Sequence, residues 1–363
     1  MKNKIAFASA FLAAASFSTA EIVINDFLSF EGFVDSSYSH TDLNKFVDLS
    51  ENKNSFGVDQ VEISWLFDFD TVTAQIDLQY EGDSNDDGEL VEQAFVTYHL
   101  DNGGAITAGR YASMIGFEAF EPTGLYQYST AYDVQGLDLS VLPGYAQGVK
   151  YTHESDATFF GISIQDEAYD LGANRLGGNE GDSSHAVEVA GAFDMGNGLA
   201  FFLGGVYEDG EDANSTAINA YTTFETGAWI FAAEVNYGDL ENGGPFASAL
   251  ADLADDLGLD DASADNEEVL QFLLMANFAY SDQASVTGRF TYSDNQVDGE
   301  ADGFTGELEM KIAKYTAAHN YAFTDNLLLV TELSYVDGEI KVEGEGSDRF
   351  DGLQAAVELL FTF

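Results

Sequence analysis

Apolar and polar residues alternate with a period of two along most of this chain. Val72, Ala74, Ile76, Leu78 and Tyr80 interleave with Thr73, Gln75, Asp77, Gln79 and Glu81. Val61, Ile63, Trp65 and Phe67 interleave with Gln60, Glu62, Ser64 and Leu66. Trp229, Phe231, Ala233, Val235 and Tyr237 share one parity, and so do Leu353, Ala355, Val357, Leu359, Phe361 and Phe363 at the end of the chain. Such alternation places apolar side chains on one face of a β-strand. A helical period would mix charged and apolar residues on every side of the same runs. Beyond the N-terminus, no run approaches the ~18 uncharged apolar residues that a membrane helix needs.

Two kinds of connection separate the alternating runs. Short ones, rich in Asp, Asn and Gly, fall at 68–71, 101–104, 154–156, 194–198, 225–227, 281–283 and 324–326, and their composition is that of tight turns. Long polar ones fall at 39–54, 82–88, 111–143, 166–184, 208–214, 238–267, 293–303 and 336–349. The two kinds alternate strictly, and together they join sixteen strands. Short turns on one side and longer loops on the other are the layout of an outer-membrane barrel. The chain is therefore predicted to be an all-β transmembrane antiparallel barrel of about sixteen strands, whose third external loop, 111–143, is long. A soluble β-sandwich has no need of this regularity.

The aromatic residues fit a membrane slab. With both termini periplasmic, Phe69, Tyr98, Phe224, Trp229, Tyr280 and Phe363 fall near the periplasmic rim, and Tyr80, Tyr207, Tyr237, Tyr292 and Tyr335 near the outer rim. Amphipathic rings favour both headgroup regions. One strand is inconsistent: polar residues occupy odd positions from Glu307 to Lys311, whereas apolar ones do from Tyr315 to Phe323. Either a bulge shifts the register, or the upper part stands above the membrane.

Composition adds a destination. Lys2 and Lys4 precede an apolar stretch from Ile5 to Ala15, and Ser18-Thr19-Ala20 is a small-residue cleavage signal. Residues 1–20 read as a secretory signal peptide and 21–363 as the barrel domain. The chain carries 64 acidic residues against 12 basic ones, a formal net charge of -52. Phosphate binding needs a basic face, so a nucleic-acid partner is excluded. Cysteine is absent, which an oxidising compartment permits.

The segment from Ala94 to Tyr132 resembles the putative β-barrel porin-2 family. The matching residues are Gly109, Arg110 and Tyr111, where a strand ends in a Gly-basic-aromatic step, and Ile115, Gly116, Phe117 and Glu118, which open a long loop. Tyr128, Ser129 and Tyr132 resemble the aromatic-serine stretch that follows. The resemblance implies a porin-type barrel in the outer membrane and no particular solute. More broadly the chain looks like the trimeric general porins, whose third external loop enters the pore, and this resemblance implies that the long third external loop here, 111–143, folds into the lumen. A homotrimer, contact with outer-membrane lipid and lipopolysaccharide, and delivery by the barrel-assembly machinery are implied in the same way. The terminal Phe363 resembles the signal that this machinery reads.

Strand parity gives an inventory of the pore wall. Glu31, Asp35, Glu62, Asp77, Glu188, Glu234, Glu332 and Glu358 point inward, joined by Lys150 and Arg289, with Arg110 at the foot of the third loop. Rings of acidic side chains select cations, so the sum predicts a cation-preferring passive channel. The plainer reading is that these acids are wet lumen residues without such a role. Arg110 could pair across the narrowing with Glu118, Glu121 or Asp133 and set a transverse field, or simply pin the loop to the wall. Asp83, Asn85 and Asp87 have the spacing of the first half of a calcium loop. The twelfth position is Ala94, however, so a solvated acidic hairpin competes with a weak Ca²⁺ site. Residues 245–257 read as a short helix capping a loop. No resident cofactor is expected. His40, His99, His153, His185 and His319 form no metal-spaced cluster, and no G-x-S-x-G motif occurs. The chain is therefore read as a non-enzyme. The competing readings are a non-channel barrel (an adhesin or structural protein) and a barrel hydrolase.

Overall fold

The computed structural model describes residues 21–44, 53–81, 91–118, 120–134, 137–169, 185–210, 214–241, 244–248, 250, 263–301, 304–344 and 346–363. Its strands, in chain order, are β1 (Ile22–Asn25), β2 (Leu28–Asn44), β3 (Lys53–Asp68), β4 (Val72–Glu81), β5 (Val91–His99) and β6 (Gly104–Ala112). Two short strands follow, β7 (Asp133–Val134) and β8 (Leu137–Asp138), and then β9 (Tyr145–Glu154), β10 (Thr158–Gln165), β11 (His185–Asp194), β12 (Leu199–Asp209) and β13 (Asn214–Thr226). The chain ends with β14 (Trp229–Leu240), β15 (Ser263–Ser281), β16 (Ala284–Ala301), β17 (Phe304–Thr324), β18 (Leu327–Val342) and β19 (Gly346–Thr362).

Sixteen of these strands form one closed antiparallel barrel. Each pairs with its neighbour in the chain, β6 pairs with β9 across the long loop, and β19 pairs with β2 to close the ring. Closure leaves no strand edge unpaired, which a bilayer requires. The last residue takes part: the N–H groups and carbonyls of Gly32 and Phe363 exchange hydrogen bonds at 2.9 Å each. The short β1 folds back on the start of β2. The pair β7–β8 lies within the third external loop, called L3 below (residues 113–144).

The outer face carries the lipid-facing set of the alternation. Leu203, Leu274, Leu333, Val149 and Ile164 are exposed there, with Phe69, Tyr98, Trp229 and Tyr280 towards one rim and Tyr80, Tyr207, Tyr237 and Tyr335 towards the other. The predicted loops at 293–303 and 336–349 are not loops. β16 runs to Ala301, β17 starts at Phe304, β18 runs to Val342 and β19 starts at Gly346. A strand of 21 residues such as β17 spans roughly 70 Å at ~3.3 Å per residue. The apolar band of a barrel is only about 25 Å tall, so these hairpins project far above it.

This length settles the inconsistent strand. From Ala301 to Leu308 and on to Tyr321, β16 and β17 stay in one register without a bulge. Parity therefore never changes, and the environment does. Met310 and Ile312 face inward and are buried, Val297, Val336 and Phe350 pack with them, and the outward Glu309 pairs with Lys341 at 3.5 Å. Below this level the outside is lipid and the inside polar; above it the outside is water and the inside apolar.

Lumen and third loop as the candidate functional site

L3 leaves β6 through two glycines of the family-like segment. Gly109 sits at φ +134°, and a side chain there would meet the Ala94 carbonyl oxygen at 2.2 Å. Gly116 sits at φ +118°. Both conformations favour glycine, and between them the chain turns from wall to loop.

From there L3 bonds to side chains of the inner face, strand after strand. The Met114 N–H donates to Glu188 of β11 at 2.6 Å, and the Ser113 hydroxyl to the same carboxylate at 2.8 Å. The Gly116 N–H donates to Asn219 of β13 at 3.2 Å, and the Phe117 N–H to Glu234 of β14 at 2.8 Å. The Ser129 N–H and hydroxyl reach Glu332 of β18 at 2.9 and 2.6 Å. The Val141 N–H reaches Gln271 of β15 at 3.3 Å. Three predicted wall acids thus satisfy backbone donors that a buried loop would otherwise leave orphaned. Glu208 does the same for the N–H groups of Ala168 and Tyr169, and Glu267 for those of Phe246 and Ala247, at the start of a helical turn over 245–248. That turn is the described part of the predicted 245–257 helix.

The bases act as clamps on loop carbonyls. Arg289, buried on β16, pairs with Glu118 at 2.6 Å and donates to the carbonyls of Ser129 at 2.9 Å and Thr130 at 3.0 Å. Lys314 on β17 is 1 % exposed and donates to the Ser129 hydroxyl at 2.8 Å and the Asp133 carbonyl at 2.7 Å. Lys150 lies over the Tyr111 ring at 4.2 Å and reaches the Ala112 carbonyl at 3.4 Å. Of the partners expected for Arg110, Glu118 is engaged by Arg289, and Asp133 offers its carbonyl to Lys314. The buried Arg110 guanidinium stands over the Tyr145 ring at 5.9 Å.

On the opposite wall the acids gather differently. Asp77 of β4 is fully buried and accepts from Gln75 at 2.9 Å and Gln93 at 2.8 Å. Glu62 of β3, Glu92 of β5 and Glu121 of L3 bring carboxylate oxygens within 4.8 Å of one another. The Tyr145 hydroxyl donates to Glu92 at 2.5 Å and Gln60 to Glu121 at 3.3 Å. Burial and the charges of Glu62 and Glu92 push the Glu121 carboxyl up to about 11. Asp35 and Glu358, on the paired strands β2 and β19, are buried side by side.

Several of these residues escaped the parity inventory for identifiable reasons. Lys314 lies on the strand whose pattern inverts. Glu208 and Glu267 fell inside predicted loops but belong to β12 and β15. Glu92 is the extra residue of a bulge, since Asp77 pairs with Gln93 and Leu78 with Val91. Asn219 and Gln271 are uncharged, and an inventory of charges passes over them. The signal peptide 1–20 and the calcium-like Asp83, Asn85 and Asp87 lie outside the described residues.

Comparison with known proteins agrees with this architecture. The family model described as putative beta-barrel porin-2, OmpL-like, matches residues 28–363. No curated protein sequence matches the chain. Among solved structures, the outer-membrane expressed OmpT of Vibrio cholerae is similar at 12 % identity and a TM-score of 0.57, covering 94 % of this chain and 100 % of that one. The outer membrane channel DcaP of Acinetobacter baumannii is similar at 12 % identity and 0.57, covering 93 % and 97 %. The anion-selective porin from Comamonas acidovorans is similar at 14 % identity and 0.57, covering 93 % and 99 %. At these identities the likeness is one of fold.

Proposed function

Because the chain belongs to the putative beta-barrel porin-2, OmpL-like family of outer-membrane barrels, we propose that it is a passive, water-filled channel for ions and small hydrophilic solutes, with a preference for cations and no enzymatic activity. The observation that carries this reading is L3, fastened by hydrogen bonds to inner-face side chains from β11 to β18. A loop lying across the lumen narrows the water path to the scale on which wall charge acts, about 8 Å at 0.15 M salt. The wall offers more acids than bases, and its buried bases Arg289 and Lys314 are bound to loop oxygens. In a KCl gradient across a planar bilayer, K⁺ should pass more readily than Cl⁻, with the bias shrinking as salt rises. An anion-preferring current would overturn the preference.

The same reading includes a homotrimer, since a trimer form of the similar Vibrio cholerae OmpT is known. It also includes an outer rim set among lipid and lipopolysaccharide headgroups, and assembly through recognition of the C-terminal end. Phe363 closes the barrel on Gly32 and rests edge-on against Phe30 at 6.3 Å. Its deletion should lower the amount of heat-modifiable barrel in the outer membrane. Unchanged assembly would leave Phe363 a packing residue only.

A further inference from the structure

Beneath the tip of L3, the loop and the inner wall border a cavity of about 460 Å³. It lies at the level of the turns joining β13 to β14, β15 to β16 and β17 to β18. Short turns mark the periplasmic side of such a barrel. The volume is of the size that holds a small organic solute. The loop tip is fixed here by its own backbone: the Tyr126 carbonyl accepts from the Thr287 hydroxyl and from the Asn320 amide, each at 3.1 Å.

Two residues that line this cavity each keep a polar atom unused. Tyr126 is 4 % exposed, and its hydroxyl has no hydrogen-bond partner. Asn320 commits its Nδ2 to the loop, and its Oδ1 is buried without a partner. A buried polar group left alone is costly, and such groups are rare in native proteins. The pair consists of one hydroxyl able to donate and one amide oxygen that can only accept. A solute bearing several hydroxyls answers both, since each of them gives one hydrogen bond and takes others. The rest of the lining narrows the class. Glu225, Asp282 and Asp325 stand at or beside the turns, and no lysine or arginine is among the described residues that line the cavity. A lining of one sign disfavours solutes of that sign. Leu125, Ile230 and Leu328 add apolar surface, against which the C–H face of a sugar ring can lie.

We propose that this cavity is a subsite for a small polyhydroxylated solute without negative charge, held under the tip of L3 where the lumen meets the periplasm. Tyr126 donates its hydroxyl to the solute, and Asn320 accepts from it. The inference rests on the channel reading and adds a solute class and the residues that recognise it.

Two measurements on the purified full-length protein test it. The first is saturation-transfer NMR in detergent with sucrose and with glucuronate as probes. Transfer to sucrose is expected and transfer to glucuronate is not. The second is K⁺ current in planar bilayers with sucrose added at millimolar concentration, where a concentration-dependent reduction is expected. Tyr126→Phe removes one unpartnered oxygen and should raise the half-blocking concentration roughly fivefold, the worth of one hydrogen bond. Ala322→Phe fills the cavity, whose wall Ala322 forms, and should abolish both the transfer and the block. Asp156→Asn, in the turn between β9 and β10, should change neither. Should Ala322→Phe fail to assemble, Tyr126→Phe still reads the site. K⁺ current without sucrose transfer, or a block unmoved by both substitutions, would overturn the subsite while leaving the channel standing. Equal transfer to glucuronate would overturn the solute class. A protein that conducts nothing would remove the channel, and a subsite in its path with it.

Discussion

The inner walls on either side of L3 are built from the same residue types and do opposite things. Along β11 to β18 every engaged acid has a donor: Glu188, Glu234 and Glu332 each accept a backbone N–H, and Glu118 holds Arg289. On the other side, Glu62 of β3, Glu92 of β5 and Glu121 of L3 face one another, besides accepting from Ser64, Tyr145 and Gln60. Acid content is therefore a poor guide to pore chemistry. A carboxylate that satisfies a loop amide is structural material, whereas one that faces its own kind, as Glu121 does, holds its proton more tightly.

The comparison breaks most visibly if the fastening is removed. Arg289→Met leaves the partly buried Glu118 without its base, and loss of one partner of a fully buried pair costs about 3–5 kcal/mol, an upper bound here. Single-channel conductance should rise well above wild type and fluctuate as L3 detaches. Unchanged conductance would mean that L3 needs no clamp. Next in size, the two sides should respond differently to replacement of an acid by its amide. Glu234→Gln should lower stability by roughly 2 kcal/mol, the scale of a hydrogen bond to a charged group, with little change in reversal potential. Glu121→Gln should not destabilise. The sign follows from linkage: the folded state holds the Glu121 proton more tightly than the ordinary carboxyl value of 4.5. Its contribution therefore falls as pH rises from that value towards about 11, and glutamine escapes the loss. Thermal unfolding across that range checks it: wild type should lose more stability than Glu121→Gln as pH rises. The smallest effect is expected at Arg110. Arg110→Gln removes the guanidinium over Tyr145 and should strengthen the cation bias modestly, and a weakened bias would place Arg110 outside the ion path.

Most of the barrel was legible because alternation and turn chemistry are local. The seven turns and the sixteen strands follow from residues read a few at a time, whereas two of the eight predicted loops, 293–303 and 336–349, are mostly strand. The inward acids were legible as positions, since parity fixes a face. Their partners were not. Glu188 meets Met114 and Glu332 meets Ser129 across 74 and 203 positions of chain, and nothing local records which loop amide reaches which wall. Glu92 escaped because one extra residue at a bulge moves a side chain off its expected face. The inverted pattern of β17 was visible, but its cause was not, because a strand does not announce where its solvent changes from lipid to water.

That change of solvent has a consequence for how the molecule is held together. Below the lipid surface, β15 to β19 gain little from burying apolar groups outward, since lipid is as apolar as they are. Above it, Met310, Ile312, Val336 and Phe350 are packed away from water, and the ordinary hydrophobic effect operates at full strength. The upper hairpins therefore amount to a soluble protein built on the strands of a membrane protein, with no linker and no sequence boundary between them. Such a turret would keep its order when lipid is exchanged for detergent and would soften on cooling. The wall beneath it should do neither.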